Sequence, residues 1–263
     1  MIDLELLSQP AQGSAKAAPI LLLHGAWHGA WCWQENFMPY FAAHGYDVYA
    51  MSLRAHGQSG SDKALNWLRG ADYVADVAQI VSSIQPAPVL IGHSLGGYVV
   101  QKYLEQHMLP AAVLLASLPS YGSLPFTLRT LLRQPLDLLR AALQMNLYPL
   151  VDSPAKTRRM FFSDSFPEEQ VQAHYDRLIG ESFLLALDCG ILAVPRPRRV
   201  RTPLLVLGGE LDYIFPPGEV EATARAYGTH AKIFPNMAHN LMQEQGWERV
   251  ADHILAWLSA QGL

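Results

Sequence analysis

Cysteine is nearly absent from this chain of 263 residues; only Cys32 and Cys189 occur. They lie far apart in unrelated settings, so no structural disulfide is expected and the cytoplasm is the expected location. Short-spaced clusters of His and Cys are missing too, which argues against a metal centre. A basic start followed by an apolar stretch is also lacking, since Asp3 and Glu5 stand there instead. Neither a signal peptide nor a transmembrane segment is expected. Positive charge is in short supply, with 19 Lys and Arg against 23 Asp and Glu, so nucleic acid is not an expected partner. The balance is uneven along the chain. Residues 121–201 carry 11 Lys and Arg against 8 Asp and Glu, and the remainder carries 8 against 15. A solvated helical surface accounts for that excess; a basic entrance that draws anionic substrates or lipid headgroups is the sharper alternative.

Apolar residues are abundant, at 50% of the chain. That is enough core material for one α/β domain with an insertion. Continuous apolar runs at Ile20–Leu23, Val89–Ile91, Ala112–Ala116 and Leu204–Leu207 read as strands buried on both faces of a parallel sheet. Weaker strands are predicted at Asp3–Leu7, Asp47–Met51 and Ala231–Phe234. Helical stripes lie between and after them: Val74, Val77, Val81 and Ile84 behind Asp72, then Trp247, Val250, Ile254 and Leu258. This alternation predicts a doubly wound, mostly parallel α/β sheet, with its ligand site beyond the carboxyl ends of the strands.

Residues 120–200 break the pattern. Leu128, Leu131 and Leu132 share one helical face, and Leu136, Leu139 and Leu143 share another. Ser165 with Glu168 reads as a capping box opening a helix through Gln170 and Leu178. Pro195 to Arg199 reads as an extended return to the sheet. The expected organisation is a core of residues 1–119 and 201–263, with a helical cap of residues 120–200 over the sheet's carboxyl edge. The cap's Leu, Met and Phe side chains are expected mostly to pack its own helices. Met160 and Phe161 are candidates for substrate contact.

The run Gly92-His93-Ser94-Leu95-Gly96-Gly97 directly follows a predicted strand and precedes a helical pattern. A strand that turns into a helix through Gly-x-Ser-x-Gly holds its serine in a strained backbone, with the hydroxyl raised at the sheet's edge. Such a hydroxyl needs a base, itself oriented by a third group. His239 lies just after the predicted strand Ala231–Phe234, whereas His230 opens that strand and His253 sits inside the terminal helix. Asp212 follows Leu204–Leu207 and is the expected acid, with Glu210 as the alternative. The order Ser94, Asp212, His239 is the one this architecture needs. Oxyanion donors are expected in the backbone N–H groups of Leu95 and Ala26, the latter in the turn His24-Gly25-Ala26-Trp27. Trp27, His28 and Trp31 could line the pocket floor, although a Trp-rich helix start is more often core. His24 and His93 read as orienting their own loops, Asp72 and Asp76 as solvated or capping, and the loop of Arg54 and His56 as support for the serine corner.

On these residues the chain resembles the α/β-hydrolase family, over residues 20–60, 88–107, 203–217 and 231–242. His24-Gly25, Gly92 to Gly96, Asp212 and His239 match its oxyanion loop, nucleophile elbow, acid and base. His24 to Trp31 is also similar to the start of plant methylesterases and hydroxynitrile lyases. Ser52 and Ala55 depart from that family's usual Asp and first Gly around the Leu-Arg-Gly-His-Gly loop. The resemblance implies a cofactor-free hydrolase, though not its substrate; the complete triad order and both oxyanion loops predict a serine hydrolase acting on a small-molecule ester with an apolar acyl part. The same triad would also suit a lactonase, a thioesterase or a carbon–carbon bond hydrolase. A ligand receptor on a hydrolase scaffold is the alternative of another class.

Overall fold

A computed structural model describes residues 2–263. Seven strands form one sheet: β1 (Leu6–Gln9), β2 (Ile20–Leu23), β3 (Val48–Met51), β4 (Val89–His93), β5 (Ala112–Leu115), β6 (Leu204–Gly209) and β7 (Ala231–Phe234). Their order is β1-β3-β2-β4-β5-β6-β7, with β1 antiparallel to β3 and every other pair parallel. The sheet is doubly wound and mostly parallel.

Side chains alternate across a strand, so an unbroken apolar run must feed two cores. Leu21, Leu23, Leu90, Leu114 and Val206 pack on one face with α2 (Gly70–Ser83) and α3 (Leu95–Leu104). Ile20, Leu22, Ile91, Val113 and Leu207 pack on the other with α1 (Phe37–Ala43) and the last helix, Glu248–Ala260. The edge strand β1 starts three residues later than its sequence suggests.

Between β5 and β6 the regular structure is helical, apart from a single bridge between Asn146 and Ser182. This insertion holds α4 (Leu124–Arg133), α5 (Pro135–Gln144), α6 (Pro154–Phe161), α7 (Glu168–Tyr175) and α8 (Phe183–Leu187). The Ser165–Glu168 capping box does not form. Pro167 is the N-cap of α7, and Ser165 Oγ meets Ser163 Oγ at 3.1 Å instead. Pro197–Arg199 is a short 3-10 turn, so the return to the sheet is only partly extended. The leucines of α4 and α5 do not all pack within the insertion either. Leu132, Leu136 and Leu143 remain 84%, 73% and 77% exposed. Among the described residues no helix is long and apolar enough to cross a membrane.

Candidate active site

The chain reverses its winding direction at β2 and β4: β3 lies outside β2, whereas β5 lies outside β4. The loops leaving those two strands therefore diverge and open a crevice between them. Ser94, directly after β4 and at the N-cap of α3, has φ 51° and ψ −114°, in a region that costs a non-glycine residue about 1–3 kcal/mol. Its backbone is over-determined. Ser94 N–H donates to the Leu115 carbonyl at 3.0 Å, and its own carbonyl accepts from Leu118 N–H at 3.1 Å. A Cβ on Gly92 would lie 2.6 Å from the Gly96 carbonyl, across the corner. One on Gly96 would meet the Leu23 and His24 carbonyls at 2.5 Å, so this second glycine admits the neighbouring strand end.

His239 and Asp212 leave the ends of β7 and β6. The His239 loop folds back over β6, close enough that a Cβ on Gly209 would lie 2.4 Å from the Met237 and Ala238 carbonyls. His93 Nε2 lies 3.1 Å from the His239 carbonyl and pins the loop beside the serine corner. His239 Nδ1 lies 2.8 Å from Asp212 Oδ2, and both side chains are fully buried. Asp212 Oδ1 accepts from the backbone of Ile214 at 2.8 Å and Phe215 at 2.9 Å. A carboxylate held on both oxygens favours Nδ1–H on the imidazole and leaves Nε2 as a lone pair. That Nε2 is buried and makes no hydrogen bond among the described residues, with Ser94 included. Glu210 is exposed and accepts from Asn236 N–H at 3.0 Å, so it does not contact the imidazole.

The loop after β2 abuts the serine, since a Cβ on Gly25 would lie 3.0 Å from Ser94 Cβ. Neither Ala26 N–H nor Leu95 N–H donates to a protein acceptor among the described residues. His24 and His93 act on their surroundings. His24 accepts from Leu53 N–H at 3.0 Å, and burial, with His56 close by, pulls it down to about 3. Asp76 is not solvated. It is buried in a pair with Arg54, Oδ1 to Nη2 at 2.6 Å.

A cavity of about 410 Å³ borders Ser94, Leu95, Ala26 and Trp27 on the sheet side. Leu131, Leu139, Leu147 and Leu185 of the insertion and Phe215 wall it, and among the described residues Glu181 is its one charged lining residue. His28, Met160 and Phe161 are buried but lie off this wall. His28 and Phe161 pack with His174 instead, ring centroids 4.9 and 5.8 Å away. Trp31 also lies off it, with its ring under the Arg177 guanidinium at 4.2 Å. Glu181, His174 and Asn240 carry no motif and were missed from the sequence. Their partners come from distant segments, and no spacing announces them.

Residues 20–253 match the model of the alpha/beta hydrolase family. Methylesterase 3 of Arabidopsis thaliana is 36% identical over 80 residues, 30% of this chain and 30% of that relative. The alignment thus spans under a third of that relative's length. A monoacylglycerol lipase of Mycolicibacterium smegmatis is 24% identical over 83% of this chain and 80% of its own. A thermophilic esterase from Thermogutta terrifontis superposes with a TM-score of 0.72 at 20% identity, covering 99% of this chain and 94% of that one, which speaks to the fold. With a match over most of its length, the chain belongs to the alpha/beta hydrolase family.

Proposed function

We propose that the protein is a serine hydrolase that cleaves carboxylic esters through an acyl-enzyme. The buried Asp212–His239 hydrogen bond, beside a strained serine that borders an apolar cavity, is the observation that carries this reading. Ser94 Oγ attacks the acyl carbon while His239 Nε2 takes the hydroxyl proton and then returns it to the leaving alcohol. Asp212 keeps the imidazole in the productive tautomer and stabilises its charged form. The free N–H groups of Ala26 and Leu95 receive the negative charge on the carbonyl oxygen of the tetrahedral intermediate. Water deprotonated by His239 then attacks the acyl-enzyme and releases the acid. The insertion serves as the cap, and its leucine-lined cavity takes the apolar acyl part. Likeness to a methylesterase and a monoacylglycerol lipase supports ester as the substrate class.

The test is labelling with a fluorophosphonate, followed by turnover of p-nitrophenyl esters of graded chain length. Ser94→Ala should abolish labelling and lower kcat by about a million-fold, the effect typical of losing such a nucleophile, with the fold intact. Ester turnover retained in that variant would refute the assignment. Equal or better cleavage of matched lactones or thioesters would move the protein to one of those classes with the same triad.

A further inference from the structure

The turn that offers Ala26 N–H is strained, and the insertion holds it. His28 N–H closes a β-turn onto the Gly25 carbonyl at 3.4 Å, with Trp27 in its third position at φ 66°. A positive φ there marks the type II form, which favours glycine, and the bulky Trp raises its cost. Two carbonyls leave this turn, and a donor chain from α7 and the residues just after it reaches both. Ile179 N–H donates to the Trp27 carbonyl at 3.1 Å. His28 Nδ1 lies 2.5 Å from the Ala26 carbonyl, and His28 Nε2 lies 2.9 Å from His174 Nε2.

The proton positions follow by elimination. A carbonyl only accepts, so His28 carries its proton on Nδ1. Burial above all, then neighbouring His93, keeps His28 well below its usual range and hence neutral. His174 is likewise held down by burial, with His28 and Arg177 adding to it. His28 Nε2 is therefore a lone pair, and His174 Nε2–H must donate to it. Asn240 Nδ2, 3.4 Å away on the His239 loop, faces the same atom.

We propose that His174 and Ile179 clamp the strained 25–28 turn, and that His174, acting through His28, is a positioning residue for the Ala26 oxyanion donor. This rests on the hydrolase reading above. Without the clamp, the 26–27 peptide is free to flip towards the type I form, in which Trp27 regains a negative φ; Ala26, no longer tied through its own carbonyl, then has nothing in the turn that keeps its N–H in place beside Ser94. Seating the insertion and completing the oxyanion hole are thus one event.

The experiment compares His174→Phe, which fills the space without a donor, with His174→Gln, whose amide can donate where Nε2–H did. Each is assayed with p-nitrophenyl butyrate and with a trifluoromethyl ketone, whose adduct places an oxyanion in the hole, and folding is checked by thermal melting. His174→Phe should lower kcat about 10- to 100-fold, up to the loss of one whole donor, with KM within about twofold and ketone affinity falling in step. His174→Gln should keep kcat within about threefold of wild type, because it restores the hydrogen bond. If His174→Phe does not fold, His174→Asn, one methylene shorter than Gln, should show the same loss. Wild-type kcat in the donorless variant, or an equal fall in His174→Gln, would overturn the clamp. Wild-type protein that does not react with a fluorophosphonate at Ser94 would sink the hydrolase reading and the clamp with it; a reactive wild type indifferent to His174 sinks the clamp alone.

Discussion

Glu181→Gln isolates one buried charge on the seam between insertion and sheet domain. Glu181 is 1% exposed. Its Oε1 accepts from Tyr73 OH at 2.9 Å and Ser182 N–H at 2.8 Å, and its Oε2 lies 3.3 Å from the buried His56 Nε2. Glutamine can keep an acceptor for Tyr73 and Ser182, so the loss is chiefly the ion pair. Burial, the largest single influence, pulls His56 down, but Glu181, the Arg54 carbonyl and Asp76 together carry it above its usual value. A raised folded value means that the stabilisation is fully present below the unfolded value, about 6.5, and fades as pH climbs through the folded one. Stranding a buried partner charge costs about 3–5 kcal/mol, but here His56 can become neutral, so about 1–3 kcal/mol is expected below pH 6.5. Urea denaturation of both proteins between pH 5.5 and 9 gives the difference, in which titrations common to both cancel. The wild-type advantage should be greatest at the acid end and shrink towards pH 9. An advantage that stays flat or grows with pH would show that His56 is not charged against Glu181.

Two further outcomes test the proposed chemistry. Asp212→Asn should still accept from Ile214 and Phe215 through its carbonyl while presenting an amide to His239; the wrong tautomer then lowers kcat about 10⁴-fold with melting little changed, as single-turnover assays would show. Ala142 lies on the cavity wall, so Ala142→Phe should shift the preferred p-nitrophenyl ester towards shorter acyl chains while acetate turnover persists, whereas an unmoved preference would place the acyl chain elsewhere.

The sequence made most of the sheet readable because burial on both faces leaves a mark that is local. Ile20–Leu23, buried throughout, appears in the structure with the bounds read from sequence, and Val89–His93 extends its run by two residues; the partly buried edge strand Ala231–Phe234 also keeps its bounds. β1 starts three residues later than its sequence suggests. Once strand ends are located, topology limits which polar residues can gather at the carboxyl edge, so Ser94, Asp212 and His239 could be named from their places after β4, β6 and β7. That reasoning left Glu210 beside Asp212 as the alternative acid; in the structure the Glu210 carboxylate turns to Asn236 and the Asp212 carboxylate to His239.

Residues whose partners arrive from other segments of the chain were not readable. Asp76 sits on a helix beside Asp72, which does bond its own helix start through Arg69 N–H at 2.9 Å. Nothing local says that Asp76 instead meets an arginine 22 residues earlier. His174 lies 146 residues from His28, and Glu181 lies 108 from Tyr73. Helical periodicity gives the buried face of α7 but not what that face meets, because the register of the insertion on the sheet is fixed by side-chain fit over many contacts. The exposed leucines of α4 and α5 show the same limit from the other side. Their spacing predicts an apolar stripe of Leu136, Leu139 and Leu143 in α5, but of these three Leu139 alone lines the cavity, beside Leu138 and Ala142, and Leu136 and Leu143 are left in solvent. The proposed chemistry is thus encoded where strands end, while what the site accepts and how its oxyanion turn is held depend on an element whose docking periodicity cannot specify.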